Sequence, residues 1–140
     1  MLIDGFEQHY LLGVSRMDDT HRGFTALVNQ LDAADKPTFI TLFGELLAHT
    51  KAHFDTENAL MRDSLFPAMR EHMDEHQRVL GELHRINRKV EAGSILVARA
   101  YVREQLPGWF KLHAYTMDSA LAAHLKQQAT SLPLTTATRL

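Results

Sequence analysis

The sequence has no cysteine among its 140 residues. Disulfides, thiolate nucleophiles, cysteine-ligated iron–sulfur clusters and thiolate zinc sites are therefore excluded. It also lacks any apolar run near the ~20 residues that a membrane span requires. Asp4 and Glu7 stand where a signal peptide needs a basic start followed by an apolar stretch. We therefore expect a cytoplasmic protein that does not insert into a membrane.

Charge of one sign is not in excess either. Lys and Arg total 15 against 17 Asp and Glu, which gives a formal net charge of -2. This balance gives no reason to expect nucleic acid or an anionic membrane surface as a partner. A hydrophobic content of 45% with 23% charged residues is typical of a globular protein. The length fits a single domain.

Proline and glycine are sparse, with 4 and 7 residues. The long segments between them have the apolar period of helices, and none shows the Val/Ile-rich alternation of strands. Four helices are predicted. The first contains DDTHRGFTALVNQL with Asp18 or Thr20 as its cap, and the second runs from Pro37 to about Arg62. For the third helix, we expect Ser64 as the N-cap, Pro67 in the first turn and Gly93 just past the C-terminal end. For the fourth, we expect Ser94 as the N-cap and a kink at Pro107-Gly108.

Short loops between four long helices favour an all-α fold, an antiparallel up-down-up-down four-helix bundle. We expect residues 1–17 to form an N-terminal arm that packs on the bundle. The bundle itself is expected over residues 18–128, and a C-terminal tail over residues 129–140.

What the sequence has in unusual number is histidine, with nine residues. His53 and Glu57 are four residues apart, as are His72 and His76, so each pair shares one face of its helix. The turn between these two helices centres near Leu65. Counted from that turn, the two pairs fall at the same level of adjacent antiparallel helices.

Three further side chains reach this level. Reflection through the turn at Gly93-Ser94 brings His113 there, and a looser reflection puts His21 within about two turns of His53. Asp118 follows His113 by five residues, which on a regular helix turns the two side chains apart by roughly 140°. Both can face inward if the helix carries a one-residue π-bulge. We therefore predict a π-helical segment from His113 to Asp118.

Five imidazoles and two carboxylates among core-type side chains need partners, because isolated polar groups are costly in an apolar interior. A metal supplies partners for all of them, and nitrogen and oxygen donors without sulfur suit iron, zinc, copper or manganese. Seven ligands exceed the needs of one ion. Two ions bridged by both carboxylates and one oxygen atom would leave one position open for a small ligand. The candidate ligands are His21, His53, Glu57, His72, His76, His113 and Asp118.

The order of these motifs resembles the hemerythrin family, specifically the bacterial hemerythrins. DDTHRGF, HFDTENALM, HMDEH and HAYTMD match the family's H … HxxxE … HxxxH … HxxxxD. LLGV before the first helix, LFP before the third, and Trp109 four residues ahead of His113 match as well. The resemblance extends from about Phe6 to Leu125.

The resemblance implies two Fe ions in a non-haem centre with an oxo or hydroxo bridge, which binds O₂ reversibly for storage, delivery or scavenging. One iron would be held by His72, His76 and His113, and the other by His21 and His53. O₂ would bind to the iron held by His21 and His53. Glu57 and Asp118 would bridge. The implied O₂ pocket contains Phe24, Phe54, Trp109, Phe110 and Ala114. The family more usually has Leu at positions 24 and 110 and Ile at 114, so we expect a dry pocket of altered shape.

We expect a monomeric O₂-binding protein without enzymatic activity. Two alternatives stay open: an oxygen- or redox-sensing module that regulates a partner, and a di-iron enzyme that acts on peroxide or nitric oxide. The histidine-rich ligand set weighs against the enzyme, because di-iron oxygenases use more Glu ligands. Of the other histidines, His49 could support His53 from one turn away, whereas His9, His84 and His124 are expected in solvent.

Overall fold

The computed structural model describes residues 1–139, with side chains described for residues 1–130. No strand occurs in this part of the chain, which confirms the predicted all-α fold. Residues 1–139 form seven α-helices and one π-helix: α1 (Phe6–His9), α2 (Ser15–Ala33), α3 (Lys36–Ser64), α4 (Met69–Glu91), α5 (Leu96–Glu104), α6 (Leu106–His113), the π-helix (Ala114–Asp118) and α7 (Ser119–Arg139).

The predicted four-helix bundle is confirmed, with α5, α6, the π-helix and α7 together forming its fourth member. Helix α2 packs along α3, α3 packs along α4, and α5 contacts both α2 and α4. Short connections make neighbouring helices antiparallel. The core between them is built of large apolar side chains such as Phe24, Phe43 and Leu83, each at most 1% exposed.

The fourth member bends where the sequence predicts it. Helix α5 ends at Glu104 and α6 begins at Leu106, with Gln105 between them at φ -114° and ψ -45°. Pro107 has no N–H to donate to the preceding turn, so the regular helical bonding is interrupted there. The kink expected at Pro107-Gly108 is confirmed.

The predicted π-helical segment is also confirmed. The N–H of Ser119 donates to the carbonyl of Ala114, five residues earlier, in place of the usual four. The wider turn lets His113 and Asp118 face the same space, and His113 Nε2 lies 3.2 Å from Asp118 Oδ1.

The predicted cap of the first bundle helix is wrong. Helix α2 begins at Ser15, before both candidates, and its flanking residue Val14 makes no side-chain capping bond. Asp18 instead accepts the backbone N–H groups of Leu12 at 2.8 Å and Gly13 at 3.1 Å. Its carboxylate is therefore used to hold the preceding loop against the helix, while the Thr20 hydroxyl donates to the carbonyl of Met17.

Two further predicted caps are wrong. Ser64 is the last residue of α3, so it cannot cap the helix that follows. Helix α5 is preceded by Ile95 without a side-chain cap. Ser94 serves the end of α4 instead: its N–H donates to the carbonyl of Lys89, and Gly93 takes the left-handed conformation at φ +94° that this helix ending requires.

The N-terminal residues lie against α2. Ile3 is buried, its N–H donates to Asn29 Oδ1 at 2.8 Å, and Asn29 Nδ2 returns a bond to the Ile3 carbonyl at 2.9 Å. The division into an arm, a bundle at 18–128 and a tail stays a prediction, and most of the tail at 129–140 lies outside the residues with described side chains. None of the helices in the described residues combines the length and the hydropathy that a membrane-spanning segment requires.

Candidate metal centre

The structure brings all seven predicted ligand side chains to one level of the bundle. They come from α2, α3, α4, α6 and the π-helix, so every long member of the bundle contributes. None is more than 4% exposed: His21, His53, Glu57, His72, His76, His113 and Asp118. Seven ionisable side chains buried at one place are far outside what a helical core tolerates without strong mutual compensation.

Glu57 divides its two oxygen atoms between two groups of histidines. Oε2 lies 3.1 Å from His21 Nε2 and 2.8 Å from His53 Nε2. Oε1 lies 3.4 Å from His72 Nε2 and 3.2 Å from His76 Nε2. One carboxylate thus faces α2 and α3 with one oxygen and α4 with the other.

Asp118 repeats this division from the opposite side of the centre. Oδ2 lies 3.0 Å from His21 Nε2. Oδ1 lies 3.0 Å from His72 Nε2 and 3.2 Å from His113 Nε2. The two carboxylates therefore separate the five histidines into a two-histidine side (His21 and His53) and a three-histidine side (His72, His76 and His113).

The ligand atoms of each side are close enough to share one ion. The first set contains Glu57, His72, His76, His113 and Asp118, and the second contains His21, His53, Glu57 and Asp118. Within each set, the candidate atoms all lie within 4.8 Å of one another. Both carboxylates belong to both sets, which is the arrangement expected of groups that bridge two cations.

The polar atoms converge without satisfying one another. Glu57 Oε1, both Asp118 oxygens and the Nε2 atoms of His72, His76 and His113 make no hydrogen bond of good geometry. Their neighbours nevertheless lie at 3.0 to 3.4 Å. Buried polar atoms are rarely left unpaired in native proteins. Lone pairs directed into a common space fit a cation, so these residues suit a metal.

Without a metal, protons on the imidazoles offset part of the negative charge of the buried carboxylates. Burial alone would lower the pKa of His21, but the facing carboxylates of Asp118 and Glu57 outweigh it and raise the pKa to about 10. The pKa of His72 rises to about 9 by the same balance. Burial opposes ionisation of Glu57, yet the electrostatic effect of His53 and the hydrogen bonds of the surrounding imidazoles hold its pKa well below the usual range. A metal ion must displace such protons when it binds.

His76 differs from the other candidate ligands because a neighbouring side chain fixes its ring. Its Nδ1 lies 2.9 Å from Asn58 Oδ1, which can only accept a hydrogen bond, so Nδ1 carries the proton. Nε2 then keeps a lone pair toward the centre, and burial lowers the pKa of this histidine. No sequence pattern indicates this role for Asn58, since a single polar residue after Glu57 is not distinctive.

Two phenylalanines cover the two-histidine side. Phe24 and Phe110 stack on each other with ring centroids 5.2 Å apart. Phe110 meets the His21 ring edge-on at 5.5 Å, and Phe24 meets the His53 ring at 6.2 Å. Both are 1% exposed, and Ala114 is fully buried. This side of the centre is therefore closed by apolar groups.

The other two predicted pocket aromatics lie against the three-histidine side. Phe54 stacks on His76 at 3.9 Å, nearly parallel, and Trp109 stacks on His113 at 4.7 Å. The indole N–H of Trp109 donates to Glu75 Oε2 at 2.9 Å, and Glu75 is itself paired with Arg78. Glu75 is a second residue beside the centre that no sequence pattern indicates. Whether these five residues line an O₂ pocket stays a prediction.

The remaining histidines fall into two groups. His9 and His84 are exposed as expected. The expectation for His124 is wrong: it is half-buried, and its Nε2 donates to the Ser64 carbonyl at the end of α3, where a free helical carbonyl needs a partner. His49 bonds to no candidate ligand, and its Nε2 lies 2.9 Å from the carbonyl of Thr20.

Comparison with known proteins agrees with this geometry. Residues 12–128 match the family described as the hemerythrin HHE cation binding domain. The chain is 33% identical over 117 residues to a bacteriohemerythrin of Ralstonia nicotianae (strain ATCC BAA-1114 / GMI1000), across 84% of this chain and 85% of that protein. No solved structure matches significantly. The family match covers most of the bundle and includes all seven candidate metal ligands, so the chain belongs to the hemerythrin family.

Proposed function

We propose that this protein binds O₂ reversibly at a carboxylate-bridged pair of iron ions. The observation that carries the proposal is the division of both carboxylates between the same two groups of histidines. One buried cation would need only one oxygen of each carboxylate. The imidazoles instead form two separate groups, and each group faces one oxygen of Glu57 and one of Asp118. This arrangement suits two cations.

The donor set supports iron. It contains imidazole and carboxylate groups and no sulfur, which fits a non-haem iron centre, and the chain's similarity to a bacteriohemerythrin favours the same metal. His72, His76 and His113 would hold one ion and His21 and His53 the other. Glu57 and Asp118 would bridge, together with an oxo or hydroxo group. Bound iron supplies the electrons and the coordination position that O₂ needs.

The coordination position open to O₂ would lie on the two-histidine side, because that side offers one imidazole fewer. Phe24 and Phe110 cover it with apolar surface, and the buried Ala114 adds no polar group. These side chains admit a small uncharged molecule while excluding water and protons, which protects a reduced centre from oxidation. Phe54 and Trp109 back the histidines of the other side.

Oxygenation of the purified protein tests the proposal. The protein is loaded with iron, its iron content is measured, and it is reduced without air before O₂ is admitted. We expect two irons per chain, visible charge-transfer bands that appear with O₂, and loss of those bands when O₂ is removed. Bands that do not reverse would contradict reversible binding.

The proposal includes storage, delivery or scavenging of O₂ by a monomer in a bacterial cytoplasm, without catalytic turnover. Two irons without reversible oxygenation would instead favour the sensing module or the peroxide- or nitric-oxide-handling enzyme. Sustained consumption of peroxide or nitric oxide with a reductant would distinguish the enzyme from the sensor.

A further inference from the structure

His49 joins the two helices that carry the two-histidine side. It lies on α3 one turn before His53, and its Nε2–H donates to the backbone carbonyl of Thr20 on α2 at 2.9 Å. Thr20 immediately precedes His21. A side chain from one helix therefore bonds to the backbone of the other beside the first candidate ligand.

The surface of α2 has a gap that receives this ring. A Cβ atom placed at Gly23 would lie 2.6 Å from His49 Cε1, which is closer than real contacts allow. Gly23 is inside α2, where glycine is the weakest helix former after proline. The absence of a side chain at this position thus serves the close approach of the imidazole. The hydrogen bond and the gap are independent features, and both fit His49.

This contact lies close to the atoms that matter for O₂. His21 lies on α2 and His53 on α3, the two helices that the His49 hydrogen bond joins. Their ring centroids are 4.8 Å apart, and both face the same oxygen of Glu57. The His49 ring lies 6.3 Å from the His53 ring. A change in the separation of α2 and α3 would therefore alter how the two imidazoles approach a shared ion.

We propose that His49 is a positioning residue that sets the spacing of His21 and His53, with Gly23 as the gap that accepts its ring. In its effect on O₂, the inference rests on the proposed function. The spacing of the two imidazoles is then set by a residue that contacts neither the metal nor O₂. Its loss should alter O₂ release and the spectrum of the centre while both irons stay bound.

Three variants separate positioning from simple packing. His49→Phe keeps a ring but removes the donor, and Gly23→Ala keeps the donor but displaces the ring. His49→Gln keeps an N–H that can reach the Thr20 carbonyl. His84→Phe, at an exposed position on α4, is the control. Iron content and circular dichroism establish that each variant folds and loads.

We expect His49→Phe and Gly23→Ala to keep two irons, to shift the charge-transfer bands and to speed O₂ dissociation by about tenfold, the scale of other residues that orient ligands. His49→Gln and His84→Phe should stay within about twofold of the parent. Unchanged bands and rates in both His49→Phe and Gly23→Ala would overturn the proposal. A change in His49→Gln as large as that in His49→Phe would do so too.

The metal-free protein gives a readout that does not depend on oxygenation. In His49→Phe and Gly23→Ala, the imidazole ¹⁵N resonances of His21 and His53 should move, while those of His72 and His113 stay in place. Failure of the parent to oxygenate would refute the proposed function and leave this measurement decisive for His49. Resonances that move equally on both sides of the centre would show that His49 has only a general packing role.

Discussion

At the scale of single residues, the centre depends on side chains that hold the candidate ligands as well as on the ligands. Asn58 fixes the ring of His76, and Glu75 holds the indole that stacks on His113. Asn58, Glu75 and Trp109 are all partly exposed, whereas His76 and His113 are buried. Residues that orient metal ligands typically change metal affinity without being ligands themselves.

Asn58→Ala should weaken iron binding about tenfold while leaving the fold intact. The substitution removes the acceptor for His76 Nδ1–H, so the ring loses its fixed orientation and the preference for a lone pair on Nε2. The rate of iron release to a chelator measures the effect. Asn87→Ala, also a helical Asn but hydrogen-bonded to Glu91, is the matched control. Equal release rates in the two variants would contradict the role given to Asn58.

Glu75→Gln should lower the free energy of unfolding at pH 7 by about 1 kcal/mol, allowing for partial exposure of the pair. Arg78 lowers the pKa of Glu75 to about 2, with a smaller effect of Trp109. Because the folded pKa is depressed, this stabilisation is present above the unfolded pKa near 4.5 and is lost as pH falls toward 2.

Urea unfolding of the metal-free protein measures this pH dependence without interference from metal loss. The difference between the parent and Glu75→Gln should shrink as the pH is lowered from 4.5. Glu45→Gln, at an exposed position on α3, should show little difference at any pH. A difference that grows on acidification would mean that the charge of Glu75 destabilises the fold.

The sequence alone predicted which ionisable side chains converge at the centre better than it predicted the residues around them. Spacings of four residues are enough to place His53 with Glu57 and His72 with His76 on shared helix faces. Asn58 and Glu75 have no such signal, because one polar residue on a partly exposed helix face is common. The cap assignments failed because helix ends depend on the conformation of the adjoining loops: α2 begins at Ser15, before Asp18, and the Asp18 carboxylate accepts the loop N–H of Leu12.

At the scale of elements, the π-helix is the feature on which the fourth member of the bundle depends. It accommodates one extra residue between His113 and Asp118 while the helix continues on either side. The sequence predicts this feature because only a wider turn makes a five-residue spacing compatible with two inward side chains. The exact ends of the helices were less predictable, since they depend on local bonding at each loop.

Deletion of Thr116 should convert the π-helix to a regular α-helix and preserve the fold. Thr116 is exposed, and removal of one residue would leave His113 and the aspartate four positions apart, still on one face. Insertion of Ala after Thr116 should instead rotate α7 away from its packing and abolish metal binding. Circular dichroism and iron content distinguish the two. Loss of the fold in the deletion alone would contradict this interpretation of the bulge.

At the scale of the whole molecule, metal binding and folding should be coupled. The seven buried ionisable groups are contributed by all four members of the bundle, so a bound ion would link helices that are distant in sequence. In the metal-free protein, the facing carboxylates raise the pKa values of His21 and His72, so protons on these imidazoles offset part of the buried negative charge. Protons on the imidazoles would compensate for the buried carboxylates less completely than two bound cations that share both carboxylates.

Removal of the metal should therefore lower the melting temperature by ~10 °C or more while most of the helix remains. Thermal unfolding with and without a chelator, followed by circular dichroism, measures the change. Restoration of iron should reverse it. A metal-free protein that melts at the same temperature as the iron-loaded form would contradict the coupling.

The position of the metal ions tests the central claim most directly. Crystals of the iron-loaded protein, measured with anomalous scattering at the iron edge, would locate each ion. We predict two peaks about 3.5 Å apart, one within reach of His72, His76 and His113 and the other within reach of His21 and His53, with Glu57 and Asp118 between them. A single peak, or two peaks that do not share both carboxylates, would contradict the account.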